Sequence, residues 1–340
     1  MRSGLKILRD LRIKSKVNEH IVAKSLVPAF MRLTLQAILY METEKVSDRL
    51  AFAIDMAEFC EHTRDIPETF ETLEEARNAL NQAATGLFRV FYMFDLDLPF
   101  TQNNMEIFPL HAKYSKQLAD WNTAFERFVA TNTSRLSSKE LRGAAMLKVQ
   151  HMASSIMSKT SPPDAEDPRP ITEIVCDQER FVPYIGDFEN IVKLSRSLIA
   201  ASEADLRNGK SPLNFSADLG IIGPLYYCCS KCPDHTIRAE AIELLGCCPR
   251  REGMWDSTAL VQLMRGYWAI EARHEALQNE AVNENGEKIA LGGLLNLVFQ
   301  DGKKWEWKWK GVASRSRVVL PLYTWAEVLE DQALPRKRGE

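Results

Sequence analysis

Apolar residues recur at helical spacing along most of this chain, and this periodicity constrains the fold more than any other feature. The clearest example runs from Thr69 to Leu98, where the large apolar side chains lie three, four or seven positions apart: Phe70, Leu73, Leu80, Leu87, Phe91 and Phe94. Such intervals place side chains on one face of a helix. We predict that this segment is the longest helix and that it ends near Pro99.

The same periodicity predicts further helices at residues 2–13, 18–40, 110–131, 138–158, 181–208, 219–229, 234–246 and 258–281. Ser137 and Glu140 match a capping box, which supports a helix start at residue 138. Residues 44–60 follow neither the helical nor the strand period. The links between the last three helices are short, so we expect those helices to form an antiparallel stack.

The chain changes character near its C-terminus. Trp305, Trp307 and Trp309 alternate with charged residues, which is the period of two that a strand with one apolar face requires. We expect a partner strand at Arg317–Tyr323, with Gly311–Ser316 as the turn. An isolated hairpin is marginally stable, so it should pack on the helical body. The predicted fold class is therefore all-α, a multi-helix antiparallel bundle with a small C-terminal β-hairpin.

Residues 160–170 are the best candidate for a linker, because they include four prolines and three acidic residues. They would separate an N-terminal helical half, residues 1–159, from a C-terminal half with the hairpin, residues 171–330. Residues 331–340 form a basic tail. We favour one continuous domain over two independent ones.

Charge and hydropathy exclude some classes of function. The 340 residues carry a formal net charge of −3, which provides no overall field to attract nucleic acid or an anionic membrane. No apolar run approaches the roughly 20 residues that span a bilayer, and the basic N-terminus lacks the features of a signal peptide. We therefore expect an intracellular protein that is not membrane-bound.

Five of the seven cysteines lie between residues 228 and 248. Cys229 and Cys232, together with Cys247 and Cys248 and with His235 nearby, offer enough ligands for zinc. However, doubled cysteines are unusual in structural zinc sites, and free cysteine is among the most buried residue types. We interpret these cysteines as buried thiols and predict no metal site, with zinc binding as the alternative.

The sequence contains no recognisable catalytic set. His62, His111, His151 and His274 lie in polar or charged surroundings, which favours surface or capping roles, and no nucleophile motif accompanies them. Gly292 and Gly293 match neither phosphate-loop pattern, so we predict no catalytic residues and no cofactor.

Two basic segments could indicate nucleic-acid binding or nuclear import. Residues 303–310 interleave lysines with tryptophans as single-strand binders do, but a strand with buried tryptophans explains the same spacing and is favoured. Residues 335–338 are compatible with nuclear import, or with an ordinary solvated end.

Residues 224–257 contain the most distinctive sequence in the chain. Gly253 permits a turn, Asp256 or Ser257 can cap a helix that starts near Thr258, and Trp255 can pack beneath that helix. Arg250 and Arg251 can meet the free carbonyl groups of the preceding helix or pair with Glu252. We therefore interpret the stretch as a structural joint between two helices.

This stretch also resembles the C-terminal part of the regulatory domain of fungal zinc-cluster (Zn2Cys6) transcription factors. The similar segments are 231–234, 237–245 and 249–257, with looser similarity at 2–8, at Phe181 and at 188–192, in the expected order. The resemblance implies an all-helical regulatory domain, found in regulators that often govern secondary-metabolite gene clusters. The family's DNA-binding module, with six cysteines in two C-x2-C-x6-C halves, has no counterpart here, and Met1 falls inside what is normally a helix of the domain.

The resemblance implies a transcription-factor-like regulator of a fungal secondary-metabolite gene cluster, located in the nucleus or alternatively in the cytoplasm. Without a DNA-binding module it would not bind DNA directly. It would act through protein partners, for example by pairing with a full-length regulator, or through a small-molecule effector. The alternative is a biosynthetic enzyme or small-molecule-binding protein derived from such a domain. A gene start assigned too far downstream is a third explanation for the missing zinc cluster.

Overall fold

The computed structural model describes residues 65–311, apart from gaps at 96–97, 162–163, 165, 210–214, 217–218, 254, 281–292 and 301–303, together with residues 26, 53, 54, 56 and 57. The helix predicted at 2–13, the helix predicted at 18–40 apart from residue 26, the strand predicted at 317–323 and the basic tail lie outside these residues.

The described part is mostly helical, which confirms the predicted class. Its α-helices are α1 (Leu73–Met93), α2 (Ile107–Asn132), α3 (Ser138–Thr160), α4 (Ile171–Cys176), α5 (Ile185–Arg207), α6 (Ile222–Lys231), α7 (His235–Cys247) and α8 (Ser257–Glu280). Short 3-10 helices cover Phe100–Gln102 and Gln178–Tyr184. None of the described helices is both long enough and apolar enough to cross a bilayer.

Helix α1 ends at Met93, so the prediction that it continues to about Pro99 was wrong. With 21 residues it is shorter than the 26-residue α2, so the prediction that it is the longest helix was also wrong. The side chain of Asn103 explains the early end. Its Oδ1 accepts a hydrogen bond from the N–H of Asp95 at 2.6 Å, and its Nδ2 donates to the carbonyl oxygen of Asp95 at 3.2 Å. Both backbone groups that would have continued the helix are therefore bonded to a side chain.

The starts of α1 and α3 follow the sequence signals. Thr72 accepts a hydrogen bond at its Oγ1 from the N–H of Glu75 at 3.1 Å. Ser137 and Glu140 form the predicted capping box: the N–H of Ser137 donates to Glu140 Oε2 at 2.8 Å, and the N–H of Glu140 donates to Ser137 Oγ at 3.3 Å. These bonds satisfy backbone donors that a helix start leaves without partners.

The buried apolar residues form two clusters. The first is built mainly by α1 and α2 around Trp121, and the second mainly by α5, α6, α7 and α8 around Phe188. Helix α3 contributes to both clusters, since Ala144 and Leu147 belong to the first and Val149, Ala153 and Ile156 to the second. Ile171 and Ile174 of α4, beyond the proline-rich segment, return to the first cluster. The segments on either side of residues 160–170 therefore each contribute residues to both clusters.

Two small sheets complete the described part. In the first, β1 (Phe215–Ser216) pairs in parallel with β2 (Arg251–Glu252), which pairs antiparallel with β3 (Trp255–Asp256). The second is a hairpin of β4 (Gly293–Gln300) and β5 (Lys304–Gly311).

The hairpin contains the predicted tryptophan strand, and among the described residues the partner of this strand is β4. In β4, apolar residues have the same period of two as the tryptophans of β5. Antiparallel pairing sets them opposite one another, as Leu295 with Trp309, Leu297 with Trp307 and Phe299 with Trp305.

Candidate functional site

The carboxylate of Glu252 is the centre of the stretch that the sequence singles out. It accepts hydrogen bonds from the backbone N–H groups of Ile221 at 3.1 Å and Ile222 at 2.9 Å, at the start of α6. Glu252 is only 5% exposed. The positive end of the α6 dipole compensates its charge, although burial still raises the pKa of this carboxyl above the usual value. We call residues 220–222 and 250–257 the Glu252 joint.

Two glycines give this joint its shape. A Cβ at Gly220 would overlap the carboxylate of Glu252, so only glycine leaves room for the cap. Gly253 has a φ of +59°, in the left-handed region that favours glycine. Its N–H donates to the carbonyl oxygen of Ser216 at 2.6 Å, which fixes the turn between β2 and β3 to β1.

The residues after the turn start helix α8. Asp256 Oδ1 accepts hydrogen bonds from the N–H groups of Thr258 at 3.0 Å and Ala259 at 3.1 Å, so Asp256 caps the helix as predicted. The Ser257 hydroxyl accepts from the N–H of Arg250 at 3.1 Å. Trp255 is 2% exposed, and its ring centroid lies 5.5 Å from that of Tyr226 in α6. The joint therefore locks α6 to the start of α8.

The two arginines do not use Glu252 as a hydrogen-bond partner, because its oxygens bind the backbone of α6. Arg251 forms a partly exposed ion pair with Asp256 instead, with 3.6 Å between Nε and Oδ2. Arg250 acts at longer range, and its positive charge lowers the pKa of Glu252 against the effect of burial.

The clustered cysteines separate into two groups. Cys228, Cys229 and Cys232 are buried, as predicted, and burial raises the pKa of Cys229 to about 12. Cys247 is exposed and Cys248 is half-buried, so the prediction of buried thiols was wrong for this pair. Helix α7 ends at Cys247, and Cys248 follows as its C-cap, so both residues lie at the exposed end of the helix.

The four cysteines of the zinc alternative do not form one ligand set in the described part of the chain. Glu203 of α5 lies beside Cys247 and Cys248. Its carboxylate oxygen and the two sulfur atoms lie within 4.8 Å of one another. Sequence reasoning missed Glu203, because it lies about forty residues from the cysteines and carries no motif of its own.

His111 and His151 are buried, so the prediction of surface or capping roles was wrong for both. His62 lies outside the described residues. The ring of His151 stacks on Trp121 with centroids 4.9 Å apart, and its Nε2 donates to the carbonyl oxygen of Leu118 at 2.9 Å. This bond assigns the proton to Nε2. Burial lowers the pKa of His151 to about 4, so the ring is neutral near neutral pH.

His111 belongs to a chain of side chains that crosses from α2 to α3. The Ser158 hydroxyl of α3 donates a hydrogen bond to the Ser115 hydroxyl at 2.7 Å. The Ser115 hydroxyl oxygen lies 3.4 Å from Nδ1 of His111. Burial lowers the pKa of His111. Among the described residues, no carboxylate hydrogen-bonds to either buried histidine, whereas a histidine that activates a serine is normally oriented by one. His151 therefore links α3 to α2 directly, whereas the contact of His111 is with Ser115 of its own helix.

The comparisons with known proteins point to transcription regulators. A 66-residue segment is 41% identical to the aspercryptin biosynthesis cluster-specific transcription regulator atnN of Emericella nidulans. The match covers 19% of this chain and 10% of that relative. No protein-family model matches the chain, and no solved structure gives a significant match. The chain thus contains a region similar to part of a fungal cluster-specific regulator.

Proposed function

We propose that this protein is a transcription-factor-like regulator of a fungal secondary-metabolite gene cluster. The observation that carries the proposal is the 41% identity over 66 residues with a cluster-specific transcription regulator. The resemblance of residues 249–257 to the regulatory domain of zinc-cluster factors points in the same direction.

The side chains of the Glu252 joint support a role in holding a fold and not in reading DNA. Glu252 and Trp255 are buried, and Asp256 and Ser257 bond to backbone groups. Arg251 is paired with Asp256. Affinity for DNA comes largely from lysines and arginines that neutralise phosphates, and the net charge of −3 provides no general field of that sign.

The regulator therefore acts in the nucleus through protein partners. Pairing with a full-length regulator that carries its own zinc cluster supplies the DNA contact, and a small-molecule effector is a further possible input. This mode of action fits the resemblance of residues 249–257 to a regulatory domain.

Deleting the gene in its native organism tests the proposal. We expect transcripts of the neighbouring biosynthetic genes to fall, and complementation with the wild-type gene to restore them. Glu252→Ala, which removes the helix cap, should restore them poorly, whereas Glu243→Ala, an exposed glutamate of α7, should behave like the wild type. Normal transcripts with an accumulated pathway intermediate would contradict the proposal and favour the biosynthetic alternative.

The mode of action has its own test. The purified chain should not shift DNA duplexes from the promoters of the cluster, and adding a zinc-cluster regulator that binds those promoters should give a complex that contains both proteins. Sequence-selective binding by the chain alone would overturn the proposed action through partners.

A further inference from the structure

Three metal-binding side chains meet at an exposed corner that plays no part in the Glu252 joint. Glu203 lies about one turn before the C-terminal end of α5, Cys247 is the final residue of α7, and Cys248 follows it. One carboxylate oxygen and the two sulfur atoms lie within 4.8 Å of one another. We call Glu203, Cys247 and Cys248 the thiol corner.

The packing of α5 against α7 brings these residues together. Arg196 Nη2 lies 2.6 Å from Glu240 Oε2, and Glu203 and Cys247 each follow one of these residues by seven positions, about two helical turns. Because both contacts advance along the two helices together, α5 and α7 run in the same direction here. Their C-terminal ends therefore lie at the same corner.

The electrostatics of this corner favour a cation. Each helix C-terminus carries a partial negative charge from its free carbonyl groups, and two such ends point to the same place. Glu203 adds a full negative charge. Among the described residues, no lysine, arginine or histidine forms an ion pair with Glu203. Its Oε1 accepts a hydrogen bond from the Cys248 thiol, with 3.4 Å between Oε1 and Sγ.

The thiol corner differs from the buried cysteines in access and in chemistry. Cys228, Cys229 and Cys232 lie in an apolar core that an ion cannot enter without a large desolvation cost. Cys247 and Glu203 are exposed to solvent. In the absence of metal, burial and the contact with Glu203 raise the pKa of Cys248 to about 11.

We propose that Glu203, Cys247 and Cys248 form a surface site for a thiophilic divalent cation of the zinc class. Two thiolates and one carboxylate are a ligand set that Zn2+ accepts, and water completes the tetrahedron. With Zn–S bonds of about 2.3 Å, a tetrahedral ion holds two sulfur atoms about 3.8 Å apart. The thiol corner reaches that spacing through rotation of side chains at the surface.

Binding exchanges protons for the metal ion. Each ligating thiol releases one proton to solvent as its sulfur bonds to the ion, and the hydrogen bond from Cys248 to Glu203 is replaced by coordination of both groups. The bound site then carries a net charge of −1, from three anionic ligands and one divalent cation. No oxidant or reductant is required.

Cadmium titration of the purified full-length chain tests the site. The protein is reduced with a phosphine, which leaves no competing thiol, and thiolate-to-cadmium charge transfer is followed in the ultraviolet. We expect saturation at one equivalent of Cd2+ and displacement of the signal by Zn2+. Alkylation with iodoacetamide followed by mass spectrometry should show that Zn2+ protects Cys247, which otherwise reacts before the three buried cysteines.

Substitutions identify the ligands. Cys247→Ser, Cys248→Ser and Glu203→Gln should each weaken Cd2+ binding at least about tenfold, since loss of an outer-shell partner alone costs metal sites about 10–100-fold. Glu189→Gln is the matched control, because Glu189 is an exposed glutamate of the same helix that pairs with Lys193. Circular dichroism should show that every variant stays folded.

Two results would overturn the proposal. One is the lack of a charge-transfer band in the reduced wild-type chain. The other is unchanged Cd2+ affinity and stoichiometry in the folded double variant Cys247→Ser/Cys248→Ser, which would place the metal on other ligands.

Discussion

The carboxylate of Glu252 caps a helix that begins thirty residues earlier in the chain, by accepting the N–H of Ile222 at 2.9 Å. Most helix caps are local, with a serine, threonine, aspartate or asparagine just before the first turn. Helix α6 follows Leu219, Gly220 and Ile221, none of which can accept a hydrogen bond through its side chain. A distant carboxylate supplies the missing acceptor, and this bond ties α6 to the turn before α8.

Removing the carboxylate should destabilise the protein. Glu252→Ala leaves two buried N–H groups without acceptors, so we expect the free energy of unfolding to fall by about 1–3 kcal/mol. Urea unfolding followed by circular dichroism measures this loss. Glu243→Ala, which truncates an exposed glutamate of α7, should change stability by no more than about 0.5 kcal/mol. Equal losses in both variants would mean that Glu252 has no special role.

Filling the space at Gly220 should disturb the same cap. Gly220→Ala places a methyl group where the carboxylate of Glu252 lies, and we expect a loss of about 1–3 kcal/mol. Gly186→Ala is the control, because Gly186 lies in the first turn of α5 with open space around it. Alanine is the better helix former, so this control should lose no stability. A Gly220→Ala variant as stable as the wild type would show that the Glu252 cap is dispensable.

His151 should make folding stability sensitive to acid. Its pKa falls from 6.5 to about 4 on burial, with Lys148 and Lys159 also lowering it and Glu126 opposing them. Between these values the unfolded chain takes up a proton that the folded chain refuses, so the free energy of unfolding falls as the pH falls. The shift corresponds to a loss of about 3 kcal/mol by pH 4.

His151→Phe isolates this effect, because it keeps an aromatic ring on Trp121 and removes the titrating group. Its free energy of unfolding, measured by urea titration from pH 7.5 to pH 4, should fall by about 3 kcal/mol less than that of the wild type. His111 titrates in both proteins and cancels in the comparison. Parallel curves for the two proteins would contradict the assignment.

The two apolar clusters predict that the halves of the chain depend on each other. Fragments 1–164 and 165–340 separate Val149 and Ile156 from the second cluster, and Ile171 and Ile174 from the first. We expect neither fragment to unfold cooperatively on its own, as measured by urea titration. Inserting glycine and serine residues into the intact segment 160–170 should be tolerated, because lengthening a surface loop costs little. A cooperative transition in either isolated fragment would support two domains.

Local chemistry made much of this fold predictable. The helical period of α1, α2, α3 and α5, the capping box at Ser137 and the alternating tryptophans of β5 each depend on residues a few positions apart. Asp256 as the cap of α8 and Gly253 as the turn are local in the same way. Contacts between near neighbours are fixed by geometry that the sequence displays directly.

The tertiary structure decided what depends on residues far apart in the chain. The α6 cap of Glu252, the burial of His111 and His151 and the pairing of β4 with β5 required the packed fold. The meeting of Glu203 with Cys247 and Cys248 required α5 and α7 to run side by side in the same direction. The sequence by itself determined the long helices of the described part and where several of them start, but it gave no sign of the short helix α4. Only packing determined which distant polar groups become buried and must hydrogen-bond to one another, because burial depends on the whole core and not on any one segment.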